Sequence, residues 1–335
     1  VTSTDTAADS LTWTPLTLED VPALTALLNR VDQADDLGEP AEEASTREWL
    51  TMPDRDLAGD SLAVRDRDEL VAVSLADVHV SLDRDGRARC QLLGTVDPAY
   101  RRRGLGTALF EHGERRAAEL AAARHPGVPA VYRTSGGRDP AAGSDPSAPR
   151  TGGADVRPLL ERRGYRRVRS WLSMTRELPG AELPAVDAEG ARISAPADTE
   201  REATRLAHLA AFADHWGSAP VGEERWNMMW SSHTARRELS TIAVDDEGAV
   251  LAYAIAMEDK PGVLHLALVG TRPAARGRGI ARAVIARTLD AAARAGYSSA
   301  ELEVDAESLT GATRLYDALG FTREHVYATF EKPVG

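Results

Sequence analysis

Apolar positions change their spacing along the chain in a regular order, and that order predicts strands and helices in succession. Trp13 to Leu16 reads as a short strand, and Leu18 to Val31 as a helix with Val21, Leu24, Leu27 and Leu28 on one face. Ser45 with Glu48 fits a capping box that opens a second helix. Ser61 to Arg65 and Glu69 to His79, joined by the polar turn Asp66-Arg67-Asp68, predict two strands, and Ala88 to Val96 a third. A helix over Arg103 to Ala123, a strand near Val128 to Arg133, a helix around Arg157 to Arg163 and a last strand pair through Met174 follow.

The second half repeats that order. Ala191 to Ser194 reads as a strand, Thr199 to Ala213 and Glu223 to Ser232 as helices, and Thr241 to Val244, Val250 to Met257 and Val263 to Val269 as strands. A helix to Ala295, a strand Ala300 to Val304, a helix Thr310 to Leu319 and a closing strand Tyr327 to Phe330 complete it. A short cassette recurs at the same place in each half. Val96-Asp97-Pro98 with Arg101-Arg102-Arg103-Gly104-Leu105-Gly106 returns as Thr271-Arg272-Pro273 with Arg276-Gly277-Arg278-Gly279-Ile280-Ala281. Each copy ends a strand and opens a helix, where the first N–H groups lack intrahelical acceptors and form an anion site. Arg101 and Arg276 are expected to add a charged fork for phosphate oxygens. A Rossmann site needs a third glycine and a Walker A loop needs Gly-Lys-Ser/Thr, and neither is present. A pyrophosphate-bearing ligand of another kind fits, and coenzyme A is one.

Two domains follow from the duplication, 11–178 and 191–332, separated by a Pro/Gly-rich linker at 179–190. The step from Gly104 to Gly164 exceeds that from Gly279 to Gly320, and the Gly/Pro/Ser/Asp-rich tract 134–154 accounts for the excess as a mobile insertion. The formal charge of −12 disfavours nucleic acid, which needs a basic face. The single cysteine, Cys90, excludes an intrachain disulfide and suits a reducing compartment. No apolar stretch approaches membrane-spanning length, and Val1 to Ser10 lacks a basic end followed by an apolar core. The expectation is a cytoplasmic protein with no membrane partner and no metal.

The order strand, V-x-P, R-x-x-G-x-G/A, helix, strand, then Leu315-Tyr316-Asp317-Ala318-Leu319-Gly320-Phe321 resembles the GNAT acetyltransferase superfamily. The resemblance covers about 191–331 strongly and about 11–178 chiefly at the cassette. It looks like a tandem GNAT organisation of the mycothiol-synthase kind: two α/β folds, each a mostly antiparallel mixed sheet flanked by helices. The resemblance implies acetyl-CoA as donor. It places the pantetheine arm on Val269, Gly270 and Thr271 in the second half and on Gly94, Thr95 and Val96 in the first. It puts the pyrophosphate at Arg276 to Ala281, with Arg101, Arg102, Gly104 and Gly106 as the first-half counterpart. Ser308 stands where many relatives have an asparagine that touches the coenzyme.

The family tyrosine that donates to the departing thiolate falls on Tyr316, which the apolar stripe Ala312, Leu315 and Leu319 would otherwise make a core residue. Its counterpart is Leu160, so the first half reads as degenerate. An ammonium acceptor must lose a proton before attack. His265 stands where mycothiol-synthase-like sequences carry a carboxylate, and equally suits a satisfied strand histidine. Glu303, in the alternating Glu301, Glu303, Asp305, is a second candidate base or part of a solvated strand face. His215 and Trp216 are expected at the acceptor wall, and Trp226 and Trp230 in packing. The expected activity is acetyl transfer to a primary amine of a small molecule by direct attack in a ternary complex, by a monomer. A mycothiol synthase, an antibiotic-modifying acetyltransferase and a non-catalytic acyl-CoA sensor are the alternatives.

Overall fold

The computed structural model describes residues 11–138, 156–180, 190–307 and 311–335. In the first half, β1 (Leu11–Thr14) leads into α1 (Val21–Asp35), α2 (Glu43–Leu50) and the single turn α3 (Leu57–Asp60). Then come β2 (Ser61–Asp66), β3 (Glu69–Val78), β4 (Ala88–Val96), α4 (Leu105–Arg124), β5 (Ala130–Arg138), α5 (Arg157–Arg162) and β6 (Arg166–Glu177). The second half runs β7 (Arg192–Ser194), α6 (Arg201–Phe212), α7 (Glu223–Trp230), β8 (Thr241–Val244), β9 (Val250–Lys260) and β10 (Val263–Thr271). It ends with α8 (Ile280–Arg294), β11 (Ser299–Asp305), α9 (Ala312–Ala318) and β12 (Thr322–Pro333).

The expected mixed sheet flanked by helices is present, and the two halves are joined in one. Twelve strands lie in the order β1-β2-β3-β4-β5-β12-β6-β11-β10-β9-β8-β7. All neighbours are antiparallel except β4 with β5 and β10 with β11. The halves exchange their last strands. β12, from the second half, pairs with β5 of the first, while β6, from the first, pairs with β11 of the second. β6 and β12 also pair with each other.

Burial follows the exchange. Leu172 and Met174 of β6 are in the second-half core with Leu264, Leu302 and Tyr316. Ala328 and Phe330 of β12 complete the first-half core around Cys90, Leu160 and Tyr165. A buried ion pair crosses the same seam: Arg133 of β5 donates through Nε to Glu331 of β12 at 2.8 Å, and Arg87 reaches the same carboxylate at 3.3 Å. Removing one partner of such a pair strands a charge out of water.

Four local expectations are corrected. α2 starts two residues before Ser45, with Glu42 at its cap, so no capping box forms there. The strand pair expected through Met174 is the single strand β6. The closing strand is longer than Tyr327 to Phe330 because it spans both β5 and β6. Residues 134–138 belong to β5 and pair with β12, so they are no part of an insertion. Gly136 reads as loop composition but meets a packing need, since an added Cβ would lie 2.3 Å from the Phe330 ring. The rest of the tract, 139–154, and linker residues 181–189 lie outside the described residues.

Glu331→Ala is expected to lower the unfolding free energy by about 3–5 kcal/mol, as for other broken buried pairs. Urea denaturation followed by tryptophan fluorescence should show one transition for both halves, and two separated transitions would contradict the shared seam.

Candidate active site

Both cassettes fold alike. Their second and fourth positions take left-handed backbone: Arg102 at φ 64° and Gly104 at φ 88° in the first, Gly277 and Gly279 at φ 76° in the second. Glycine adopts that conformation without strain, and arginine does so at some cost. Gly104 and Gly279 cap α4 and α8, so the turn delivers each helix N-terminus to the surface. No protein atom lies within 4 Å of where a Cβ on Gly277 would stand, which leaves the outer face of the turn open to an anion.

The arginine forks have other partners. Arg276 grips Asp214 at 2.7 and 3.1 Å and the Ala211 carbonyl at 2.9 Å. Arg101 grips Asp35 with two 2.7 Å bonds and donates to the Val96 carbonyl at 3.2 Å. These carboxylates follow or end the first helix of each half and satisfy the guanidinium, so Arg101 and Arg276 tether the cassette to that helix. Arg102 and Arg278 also stand in the turns, beside the main-chain amides of each helix N-terminus.

Ahead of each cassette the two parallel strands part. β10 pairs with β11 only from Val263 to His265, and β4 with β5 only from Ala88 to Gln91. In the second half the β11-facing main chain of Leu266 to Thr271 is therefore unpaired in the ladder, and it includes Val269, Gly270 and Thr271. In the first half the hydroxyl of Thr134 donates to the Leu92 carbonyl at 3.0 Å within the corresponding gap that leads to Gly94, Thr95 and Val96.

A bulge separates the halves further. The β10 register slips between Leu266 and Leu268 against β9, leaving Ala267 as the extra residue, whereas β4 pairs with β3 without a slip. Side chains alternate along a strand, and one extra residue inverts that alternation. Leu268 thus shares a face with His265, and Val269 turns to the core. Gly270 lies over Tyr253 so closely that a Cβ would stand 2.3 Å from the phenol oxygen. The Tyr253 hydroxyl bonds His208 Nδ1 at 2.7 Å. Burial pushes the Tyr253 phenol well up, with Tyr316 adding to the effect, and pushes the His208 imidazole down to about 4.

Tyr316, on α9, is 6 % exposed and meets Phe321 edge to face with ring centroids 5.9 Å apart. Among the described residues its hydroxyl makes no hydrogen bond, and burial raises its pKa above the ordinary phenol value. Leu160 occupies the matching place in the first half, fully buried.

His265 and Glu303 stand on one face. Ala300, Leu302 and Val304 point into the α8 core, so Glu301, Glu303 and Asp305 point the other way, as His265 does. Burial disfavours the His265 imidazolium, but a 2.8 Å bond to Asp259, with Glu301 and Glu303 nearby, outweighs it and raises the pKa. Glu303 is exposed at the surface, yet the protein around its carboxyl displaces water and raises its pKa above the ordinary value; His265 opposes this, and Glu39 and Glu301 reinforce it. Glu301 is held by Lys260 at 2.9 Å, whereas Glu303 has no ion pair among the described residues.

A cavity of about 420 Å³ lies between the halves and reaches this face at Asp259 and Leu268, while His265, Glu303 and Tyr316 are not among its lining residues. Glu48 and Trp49 of α2 wall one side, and His208, Arg225, Trp226 and Asp259 the other. His215 and Trp216 are elsewhere. Arg133 and Arg169 both stand over the Trp216 ring, 4.5 and 5.1 Å from its centroid, and His215 lies on Trp171 with centroids 6.0 Å apart. The loop that carries them bonds through Gly217 and Ser218 to Arg89 and Arg84 of the first half, so it clamps the halves together. Trp226, expected in packing alone, is buried and also lines the cavity, while Trp230 packs. Sequence reasoning did not place His208, Tyr253, Asp259 or Glu48 at the site, and they come from three elements, α6, β9 and α2. Ser308 lies outside the described residues.

The acetyltransferase (GNAT) family model matches residues 25–128 and 202–321, together more than half of the chain. The chain belongs to that family. A mycothiol acetyltransferase of Renibacterium salmoninarum is 31% identical over 261 residues, covering 76% of this GNAT chain and 70% of the relative. One from Kocuria rhizophila is 28% identical over 332 residues, covering 95% and 98%. A GCN5-related N-acetyltransferase from Sphaerobacter thermophilus superposes with TM-score 0.72 at 27% identity, covering 97% and 96%. A tandem GNAT protein from the clavulanic acid biosynthesis pathway has the same fold, with TM-score 0.73, 18% identity and coverage of 97% and 99%. This GNAT protein is therefore an acyltransferase of tandem organisation. Its described residues include no helix long and apolar enough to cross a membrane and no group of three or more metal-ligating side chains.

Gly270→Ala should displace the Tyr253 hydroxyl from His208 and cost roughly 1–3 kcal/mol, as overpacking does. Thermal and urea unfolding measure the loss, and an unchanged stability would show that Tyr253 is free to move.

Proposed function

We propose that the chain transfers acetyl from acetyl-CoA to a primary amine of a small molecule, and that the second half performs the reaction while the first serves as scaffold and acceptor wall. The observation that carries this reading is the asymmetry of the repeat: only the second half joins the cassette to a bulged β10 and to Tyr316. The residues present suit the coenzyme. The open turn at Gly277 and Gly279 offers helix N–H groups at Ile280 and Ala281 to a pyrophosphate, and the unpaired main chain at Val269 to Thr271 offers a ladder edge to an extended amide-bearing arm. Bound acetyl-CoA supplies an electrophilic carbonyl and a thiolate leaving group.

Glu303 is the proposed base. It stands two residues beyond the last β10–β11 pair, beside the gap, and its raised pKa makes it a stronger proton acceptor than an ordinary carboxylate. His265 is the less suited of the two, because its raised pKa and its bond to Asp259 favour the imidazolium, which has no free nitrogen lone pair to accept a proton. Tyr316 stabilises the departing thiolate. A phenol near pKa 10 giving its proton to a thiolate whose thiol has a pKa near 8.5 is uphill by about 2 kcal/mol. Burial steepens that slope, so Tyr316 acts by a hydrogen bond that strengthens as charge develops.

The closing of each half by the other's last strand supports a monomer. A second reading, mycothiol acetyl transfer, rests on the names of the relatives. The charge, the absence of a long apolar helix among the described residues and the single cysteine agree with a cytoplasmic setting.

Tyr316→Phe is expected to lower kcat about 100-fold, within the usual range for an acid–base group, with little change in coenzyme affinity. Thiol release across a panel of amines measures it; full kcat in the variant removes the role of Tyr316, and no release from the parent with any amine removes the enzyme reading. His265→Gln should move the acidic limb of the pH profile of kcat/KM to higher pH. The imidazolium holds the Glu303 pKa down, so removing it lets that pKa rise, and a base is lost as pH falls below its pKa. Disappearance of the limb together with kcat would assign the base to His265.

A further inference from the structure

We infer that the cavity between the halves selects an apolar primary amine, an alkyl- or arylalkylamine, over a polyhydroxylated one. The inference rests on the acetyl-transfer reading above for its role and on the wall of the cavity for its chemistry. The chain has five methionines, and four of them, Met52, Met228, Met229 and Met257, line this one space. They come from the segment after α2, from α7 and from β9, so sequence adjacency accounts only for Met228 and Met229. Trp49 and Trp226 add two ring surfaces. Thioethers and indoles attract apolar matter and adapt to its shape.

The polar groups of the wall already have partners, most of them residues behind it. Glu48 accepts from the Ser232 hydroxyl at 2.6 Å and from the His233 amide at 3.0 Å, and Ser45 bonds His233 at 3.3 Å. Asp259 bonds His265, His208 bonds Tyr253, and Arg225 stands 3.9 Å from Asp77. A polyol entering here would surrender its bonds to water and find few free partners, which weakens binding. An alkyl or aryl group would surrender none.

Charge sets the remaining requirement. Glu48 and Asp259 are both held in the carboxylate form, the first by Ser232 and His233 against the cost of its burial and the second chiefly by His265. The one arginine on the wall, Arg225, shares Asp77 with Arg55, at 3.9 and 3.5 Å. The wall thus keeps two ionised carboxylates which, although already hydrogen-bonded, retain lone pairs for a further N–H donor among thioether and indole surfaces, and this suits a single ammonium on an apolar body.

The test compares butylamine, hexylamine, 2-phenylethylamine and glucosamine with the full chain, reading thiol release and, separately, binding by calorimetry without coenzyme. Each buried methylene should raise kcat/KM by roughly threefold, so hexylamine should exceed butylamine about tenfold and 2-phenylethylamine should exceed glucosamine by at least about tenfold. The double variant Met52→Gln, Met228→Gln should bring the hexylamine-to-butylamine ratio close to one while acetyl-CoA affinity, measured in parallel as proof of folding, is kept. A preference for glucosamine, or equal rates along the alkyl series, overturns the inference and leaves acetyl transfer standing. Chain-length-dependent binding without thiol release does the reverse. An absence of both binding and turnover for every alkyl- and arylalkylamine also overturns the inference.

Discussion

A strand edge is a row of unpaired hydrogen-bonding groups, and each half of this chain would leave one raw at its centre. β5 and β11 are those edges, and β12 and β6 close them by crossing to the opposite half. Everything between the halves depends on this exchange. It continues one sheet through both copies, it brings Phe330 into one core and Met174 into the other, and it holds Arg133 and Glu331 out of water against each other. It also joins the two halves whose helices α2 and α7 both wall the cavity.

On that common frame the two copies have diverged in their use of the same backbone. Both keep the left-handed positions of the cassette and both part their parallel strands. In the first copy the parted strands are laced by Thr134, and a leucine fills the tyrosine's place. In the second copy a bulge re-aims Leu268 toward the cavity, and Gly270 makes room for the Tyr253–His208 pair beneath it.

Strands and helices with a clean period were legible in the sequence to within a few residues; β4 and β8 agree at both ends. The cassette was legible because glycine and proline report backbone geometry directly. What escaped was set by long-range contact. Gly136 has the composition of a loop, yet it is in a strand because a phenylalanine from the far end of the chain lies against it. Arg101 and Arg276 carry the charge that phosphate wants, and only the fold shows a carboxylate already in their forks. Trp216 sits near the acceptor region in sequence, but the loop bearing it crosses to the other half, where two arginines stack on its ring. The methionines that line the cavity are mostly far apart along the chain, and no local pattern announces them.

The exchanged strands also limit how such a chain can change by recombination. A crossover in the linker that replaced the second half with that of a distant relative would import a foreign β12 into the core beneath α4 and a foreign surface against β6. Chimeras of this architecture are compatible only when β6 and β12 travel with the partners they close, so the unit of inheritance is a pair of seams and not a pair of domains.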